Sequence, residues 1–308
     1  MRIIYMGTPE FAVPSLERLI ADGHDVVLVV TQPDKPVGRK QVMTPPPVKV
    51  TAMAHDIPVY QPTSMRTDEA FETLAAAKPD VIVVAAYGKI LPKAILELPP
   101  HGCICVHASL LPAYRGAAPI QWAVINGEST AGVTTMQMDE GIDTGDMLLK
   151  AARELPLDMT AGELHDQLSV DGAQLISDTL KALENGTLER EPQPTESTTA
   201  YAAMLDKRLS PLDFQKPAKQ LHDQVRGLNP WPSANFVLHG KVMKVHKSEL
   251  GDATSLPAGT VCALDPLSVA CGDGNSLRML EIQYEGKQRM KTADFLRGHA
   301  VAIGENLM

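Results

Sequence analysis

The sequence predicts a two-part α/β protein: a Rossmann-like, mostly parallel sheet with helices on both faces, followed by a small barrel-like β domain. Three observations predict it. Apolar, β-prone runs alternate with helical patterns through the first half. A stretch almost without large apolar residues, 187–199, then interrupts the chain with a linker composition. Beyond it come short alternating runs separated by Gly-bearing turns.

Taken in order, residues 2–6 form the first apolar strand. Thr8 is placed to cap a helix over 9–21, with Val13, Leu16, Leu19 and Ile20 on one face and Gly23 past its end. Residues 26–30 are a continuous run of Val and Leu, the pattern of a strand buried on both faces. Residues 68–77 predict a helix, 81–86 a buried strand, 104–107 a short strand ending at His107, 119–126 a helix and 133–138 a strand. Thr160-Ala-Gly-Glu163 is a capping box. It opens a helix reaching about Glu184, with Leu164, Leu168, Leu175, Leu180 and Leu183 as its stripe and Asn185-Gly186 as its stop. Past the interruption, 216–226 predicts a helix, and 234–238, 241–247, 259–263, 268–271 and 277–283 predict strands. His239-Gly240 joins the first two of these as a hairpin. The expected organisation is a first domain over 1–188, a linker over 189–206 and a second domain over 207–308.

Composition narrows the classes of function. A chain of 308 residues is long enough for two ordinary cores, and 44% hydrophobic with 21% charged residues is the balance of a soluble globular protein. No apolar run approaches the ~20 residues of a membrane span. The start is a short strand-like run, not a signal peptide, so a cytoplasmic protein is expected. Cys103, Cys105, Cys262 and Cys271 lack the spacing of a metal site and are expected to be reduced thiols, with no metal required. The net charge of −9 is uneven: basic residues exceed acidic ones by three from Lys207 onward, and the preceding part carries −12. The later part therefore suits a polyanion.

The first turn, Gly7-Thr8-Pro9-Glu10, lacks the Gly-x-Gly-x-x-Gly fingerprint, which argues against a nicotinamide enzyme. His107 stands at the carboxyl end of a central strand, where open parallel sheets place their ligands. It opens the dense string His107-Ala-Ser-Leu-Leu-Pro-Ala-Tyr-Arg-Gly-Ala-Ala-Pro-Ile-Gln121. Asp143 sits in Gly141-Ile-Asp-Thr-Gly145, within Asp139-Glu-Gly-Ile-Asp-Thr-Gly-Asp146. Histidine and carboxylate are groups that move protons near neutral pH. Cys105, two residues before His107, shares its strand face. Residue types alone would also permit Cys-His-Asp thiol chemistry.

These two strings closely resemble those of the folate-dependent formyltransferases. The resemblance implies transfer of a formyl group from 10-formyltetrahydrofolate to an amine. His107 would move the proton and Asp143 would assist it. That family carries asparagine two residues before the histidine, as a donor to the oxyanion; Cys105 stands there instead. A thiol is a weaker donor than an amide. Loss of one such donor costs about 2–4 kcal/mol in the barrier, so reduced activity is expected.

By the same resemblance the folate site would draw on Tyr87, Gly88, Ile90, Leu91 and Pro92, on Ser109, Leu110, Leu111 and Pro112, and on Asp139. The polar loop 31–40, with Lys35, Arg39 and Lys40, is similar to the loop by which some members enter the acceptor end of initiator methionyl-tRNA. Those members also carry an OB-like barrel at the position of 207–308. Here Lys207, Arg208, Lys241, Lys244 and Lys247 would offer a basic surface, and Arg115 would stand at the cleft mouth. Trp231, between two prolines, reads as a packing anchor. A monomer is expected. Two alternatives stay open at this point: a small amine acceptor such as a sugar nucleotide, or a catalytically impaired tRNA-binding protein.

Overall fold

A computed structural model describes residues 1–38 and 40–307. The chain forms two compact units that do not follow its linear order. One gathers Met1–Gly116, Gly132–Arg153 and His165–Tyr201; the other gathers Ala117–Ala131, Glu154–Leu164 and Ala202–Met308.

The first unit is built on β1 (Arg2–Gly7), α1 (Val13–Ala21), β2 (Asp25–Val30), β3 (Lys35–Val37), β4 (Val42–Thr44), α2 (Pro47–Ala54), β5 (Val59–Tyr60), α3 (Asp68–Ala76), β6 (Val81–Ala85), α4 (Lys93–Leu96) and β7 (Cys103–His107). After α5 (Pro119–Ile125) of the other unit follow β8 (Thr130–Gln137), β9 (Met147–Glu154) and α6 (Ala161–Glu184). Seven strands lie in the order β5-β2-β1-β6-β7-β8-β9. The pairings from β5 through β7 are parallel, and β7 with β8 is antiparallel. The apolar runs fill the middle: Ile3, Ile4, Tyr5, Met6 and all of β6 are buried. Helices cover both faces, as alternation along β7 shows. The Cys103 thiol reaches the Ile95 carbonyl of α4 at 3.6 Å. On the opposite face, Val106 packs so close to α6 that a Cβ on Gly172 would lie 2.8 Å from its Cγ1.

One expectation for this unit is corrected. Thr8 is not a helix cap, because α1 starts later, after a 3₁₀ turn over Glu10–Ala12, and has no side-chain cap. The Thr8 hydroxyl instead donates to the Tyr87 carbonyl at 3.1 Å and accepts from the Gln32 amide at 3.4 Å, joining loops at the ends of β6 and β2. The segment of linker composition, up to Tyr201, belongs to the first unit. Glu191 exchanges two backbone hydrogen bonds with Met147, at 2.8 and 2.9 Å. Hydrogen bonds hold this stretch, which has few large apolar side chains, and so hydrophobic pattern cannot reveal it.

The second unit holds α7 (Ala218–Gly227), β10 (Ala234–Leu238), β11 (Lys241–Leu250), β12 (Val261–Leu264), β13 (Leu267–Ala270), β14 (Ser276–Tyr284), β15 (Met290–Lys291) and α8 (Thr292–Leu296). Its antiparallel sheet runs β10-β11-β14-β13-β12, with β15 on β14. The His239-Gly240 hairpin is present, with φ of 48° and 75°, the positive values that a two-residue turn needs. The core draws Leu221 and Val225 from α7, Phe236, Met243 and Met279 from the sheet, and Ala118 from before α5. Gly227 permits α7 to approach α5: a Cβ there would sit 2.4 Å from Ile125 Cγ1. The capping box forms as expected, with Glu163 Oε2 accepting from the Thr160 amide at 2.8 Å and Thr160 Oγ1 from the Glu163 amide at 3.2 Å. Among the described residues no helix is long and apolar enough to cross a membrane.

Candidate active site

His107 is the last residue of β7 and is 7% exposed. Its Nε2 lies 3.1 Å from the Tyr114 carbonyl oxygen. A carbonyl only accepts, so Nε2 carries a hydrogen, and the neutral ring keeps its lone pair on Nδ1. That Nδ1 stands 3.6 Å from Asp143 Oδ1.

Asp143 arrives from an unexpected direction. Because β8 is antiparallel to β7, the chain leaves β8 away from His107, with Ile104 paired to Gln137 and His107 to Thr134. The turn after β8 therefore has to fold back. It does so through Asp139, whose Oδ1 accepts from the Gly141 amide at 3.0 Å and the Thr144 hydroxyl at 2.8 Å. The Gln137 amide closes it on the Asp146 carbonyl at 2.8 Å. Gly145 is obligatory there, since a Cβ would fall 1.8 Å from the Gln137 carbonyl oxygen. Asp143 takes a left-handed φ of 54°, and its Oδ2 accepts from the Gly116 amide at 2.8 Å.

Cys105 pairs with Val84 of β6 and Met136 of β8, and borders two apolar clusters that hold Tyr87, Leu91 and Leu111. Burial pushes its thiol pKa well up, and the charge of Asp143 pushes it further. Such a thiol stays protonated near neutral pH and is a poor nucleophile. It remains a weak hydrogen-bond donor on the face of His107.

The loops after β6 and β7 leave at the same sheet edge, since these strands are parallel. Tyr87, Leu91, Ser109 and Leu111 are buried and act as foundations. Tyr87 donates to Met65 Sδ at 3.1 Å, and burial raises its hydroxyl to a pKa of about 12. The Ser109 hydroxyl donates to the Ala113 carbonyl at 2.6 Å. Gly88, Ile90 and Asp139 are exposed, and Pro92, Leu110 and Pro112 half-buried. Ile90 is an exposed apolar side chain two residues from the exposed Gly88, whereas the Asp139 carboxylate is committed to its own turn.

The basic residues divide. Arg115, expected at the cleft mouth, is 7% exposed and turned inward. Its guanidinium donates to Gln193 Oε1, the Pro194 carbonyl and the Thr195 carbonyl, at 2.7–3.1 Å. Lys35 and Lys40 are exposed, on and beside the β3–β4 hairpin, and Lys35 donates to Gln32 Oε1 at 3.0 Å. Arg39 lies outside the described residues. In the second unit Lys207 and Arg208 are exposed, with Arg208 paired to Asp206. Lys241 is exposed over the Tyr284 ring, and Lys244 half-buried on β11. Among the described residues, no group of three or more His, Cys, Asp or Glu could hold a metal ion.

The sequence model described as formyl transferase matches residues 1–183, and that described as formyl transferase, C-terminal domain, matches 204–300. The chain belongs to the formyl transferase family. Relatives named methionyl-tRNA formyltransferase are about half identical to it from end to end. The one from Acetivibrio thermocellus is 50% identical, over 100% of this chain and 99% of the relative. The one from Geobacter metallireducens is also 50% identical, over 100% and 98%. Among solved formyltransferases, an N-formyltransferase from Helicobacter canadensis, complexed with folinic acid and dTDP-3-aminofucose, superposes with a TM-score of 0.71. It is 21% identical, over 91% of this chain and 98% of that one, so the likeness is one of fold.

Proposed function

We propose that this formyltransferase moves a formyl group from 10-formyltetrahydrofolate to the α-amino group of methionyl initiator tRNA. The observation that carries the reading is the His107–Asp143 pair, with the imidazole tautomer set by Tyr114 and the carboxylate anchored by Gly116. The end-to-end similarity to relatives of that name supports the choice of acceptor.

The folate supplies the formyl carbon when bound. The amine nitrogen bonds to that carbon, and the carbonyl electron pair moves onto oxygen. His107 Nδ1 takes the proton that the nitrogen sheds, and the Asp143 charge stabilises the resulting imidazolium. Cys105 offers its thiol hydrogen to the oxyanion, a weak donation where an amide would be strong. As the oxyanion collapses, the bond from carbon to the folate nitrogen breaks, and the proton held at His107 passes to that nitrogen. Gly88, Ile90, Pro92 and Leu110 would line the folate face. Exposed Lys35 and Lys40, with Lys207, Arg208 and Lys241, would meet RNA phosphates.

This reading gives catalysis to 1–188, tRNA contact to 207–308 and their connection to 189–206, of which the part up to Tyr201 packs with the first unit, in a cytoplasmic monomer. The test is a formylation assay offering charged initiator tRNA and a dTDP-amino sugar separately. Formylated RNA, formed at a rate that falls with added salt and on Lys35→Ala/Lys40→Ala, is the expected outcome. Preference for the sugar nucleotide would replace the acceptor. Binding of tRNA without turnover, even in Cys105→Asn, would make the protein a non-catalytic binder.

A further inference from the structure

We infer that Gln193 is a positioning residue for the His107–Asp143 pair, an inference that rests on the formyl-transfer reading. Nothing in its local sequence, Pro192-Gln193-Pro194, marks it. Its side-chain amide is fully engaged. Nε2 donates to the Asp143 carbonyl at 2.9 Å and the Gly145 carbonyl at 2.7 Å, the two carbonyls that flank Thr144. Oε1 accepts from Arg115 Nε at 3.0 Å and Nη2 at 2.8 Å.

Arg115 is the residue between the two that hold the pair. The Tyr114 carbonyl takes the His107 Nε2 hydrogen, and the Gly116 amide donates to Asp143 Oδ2. A closed loop of contacts results: from the Asp143 turn to Gln193, to Arg115, to its neighbours Tyr114 and Gly116, and back to His107 and Asp143. Asp143 needs such support, because a left-handed φ of 54° persists at a non-glycine residue only where the surroundings over-determine it.

The residue type follows from the same bonds. Two carbonyls require a group with two donor hydrogens, and a guanidinium requires an acceptor. Among neutral side chains only a carboxamide supplies both. Glutamate at 193 would satisfy Arg115 but set oxygen against two carbonyl oxygens. Lysine would satisfy the carbonyls but repel Arg115.

The test compares the full-length chain with Gln193→Ala and Gln193→Glu by steady-state formylation, thermal melting and amide hydrogen exchange. In both variants kcat is expected to fall at least about tenfold, while KM for each substrate moves less than about threefold. In Gln193→Ala the Gly116 amide is expected to lose protection at least about tenfold, while the β6 amides keep theirs. Unchanged Gly116 protection in Gln193→Ala would overturn the inference, as would a wild-type kcat in Gln193→Glu. Loss of Gly116 protection in a chain that never formylates RNA would leave the positioning role standing and sink the functional reading instead.

Discussion

His107 Nδ1 faces Asp143 Oδ1 across 3.6 Å, while Nε2 on the other side of the ring is held by the Tyr114 carbonyl at 3.1 Å. The first distance exceeds a hydrogen bond, so the carboxylate acts on the ring through its charge until a proton lies between them. Removing either partner should therefore disable proton transfer while leaving binding surfaces in place. His107→Asn and Asp143→Asn are expected to lower kcat at least about a hundredfold, with KM little changed. Single-turnover formylation measures the chemical step directly.

Cys105 stands on the His107 face with a protonated, weakly donating thiol. Cys105→Asn introduces an amide donor at that position. The formylation rate is expected to rise at least about tenfold. A rate that stays level or drops would show that the thiol is not the weak point of the site.

The same thiol provides a pH test. An ordinary thiol with a pKa of about 8.5 is roughly a quarter thiolate at pH 8. Burial first, and then Asp143, favour the neutral form of Cys105, so its thiolate fraction there is far smaller. Alkylation of Cys105, followed by mass spectrometry, should still be accelerating at pH 9. A plateau below pH 8 would mean a thiolate beside His107, and would revive a cysteine-nucleophile mechanism.

The capping box of α6 gives a stability test. Thr160→Ala should cost about 1 kcal/mol, read from denaturant unfolding. Glu163 has a lowered pKa, chiefly through the backbone hydrogen bond from Thr160 and then its hydroxyl. A depressed carboxylate stabilises the fold above its unfolded pKa of about 4.3, and the contribution fades as pH falls through the still lower folded value. The stability gap between the wild type and Glu163→Gln should accordingly be present at neutral pH and shrink on acidification.

Much of the scaffold was legible because its signals are local. The Val-rich runs of β2 and β6 reported strands buried on both faces, and the Thr160–Glu163 spacing reported a cap. Thr8 misled for the same reason: its position suits a cap, but its partners are Tyr87 and Gln32. Arg115 misled because a charged side chain is usually exposed, and nothing nearby in sequence announces the carbonyls of 194 and 195 that bury it. Gln193 carried no signal at all.

By itself the sequence determined the element types, the alternation that makes a mostly parallel sheet, and the chemical identities of His107, Asp143 and Cys105. Periodicity and turn chemistry act within a few residues, so the linear chain expresses them fully. Only the tertiary structure decided which imidazole nitrogen is free, how the turn after β8 doubles back, and that Gln193 joins Asp143 to Arg115. The bonds that tie Asp143 to Gly116 and Gln193 to Arg115 close over about 3 Å between groups 27 and 78 residues apart, and even the His107–Tyr114 bond, seven residues apart, depends on how the loop after β7 folds, which no local rule encodes.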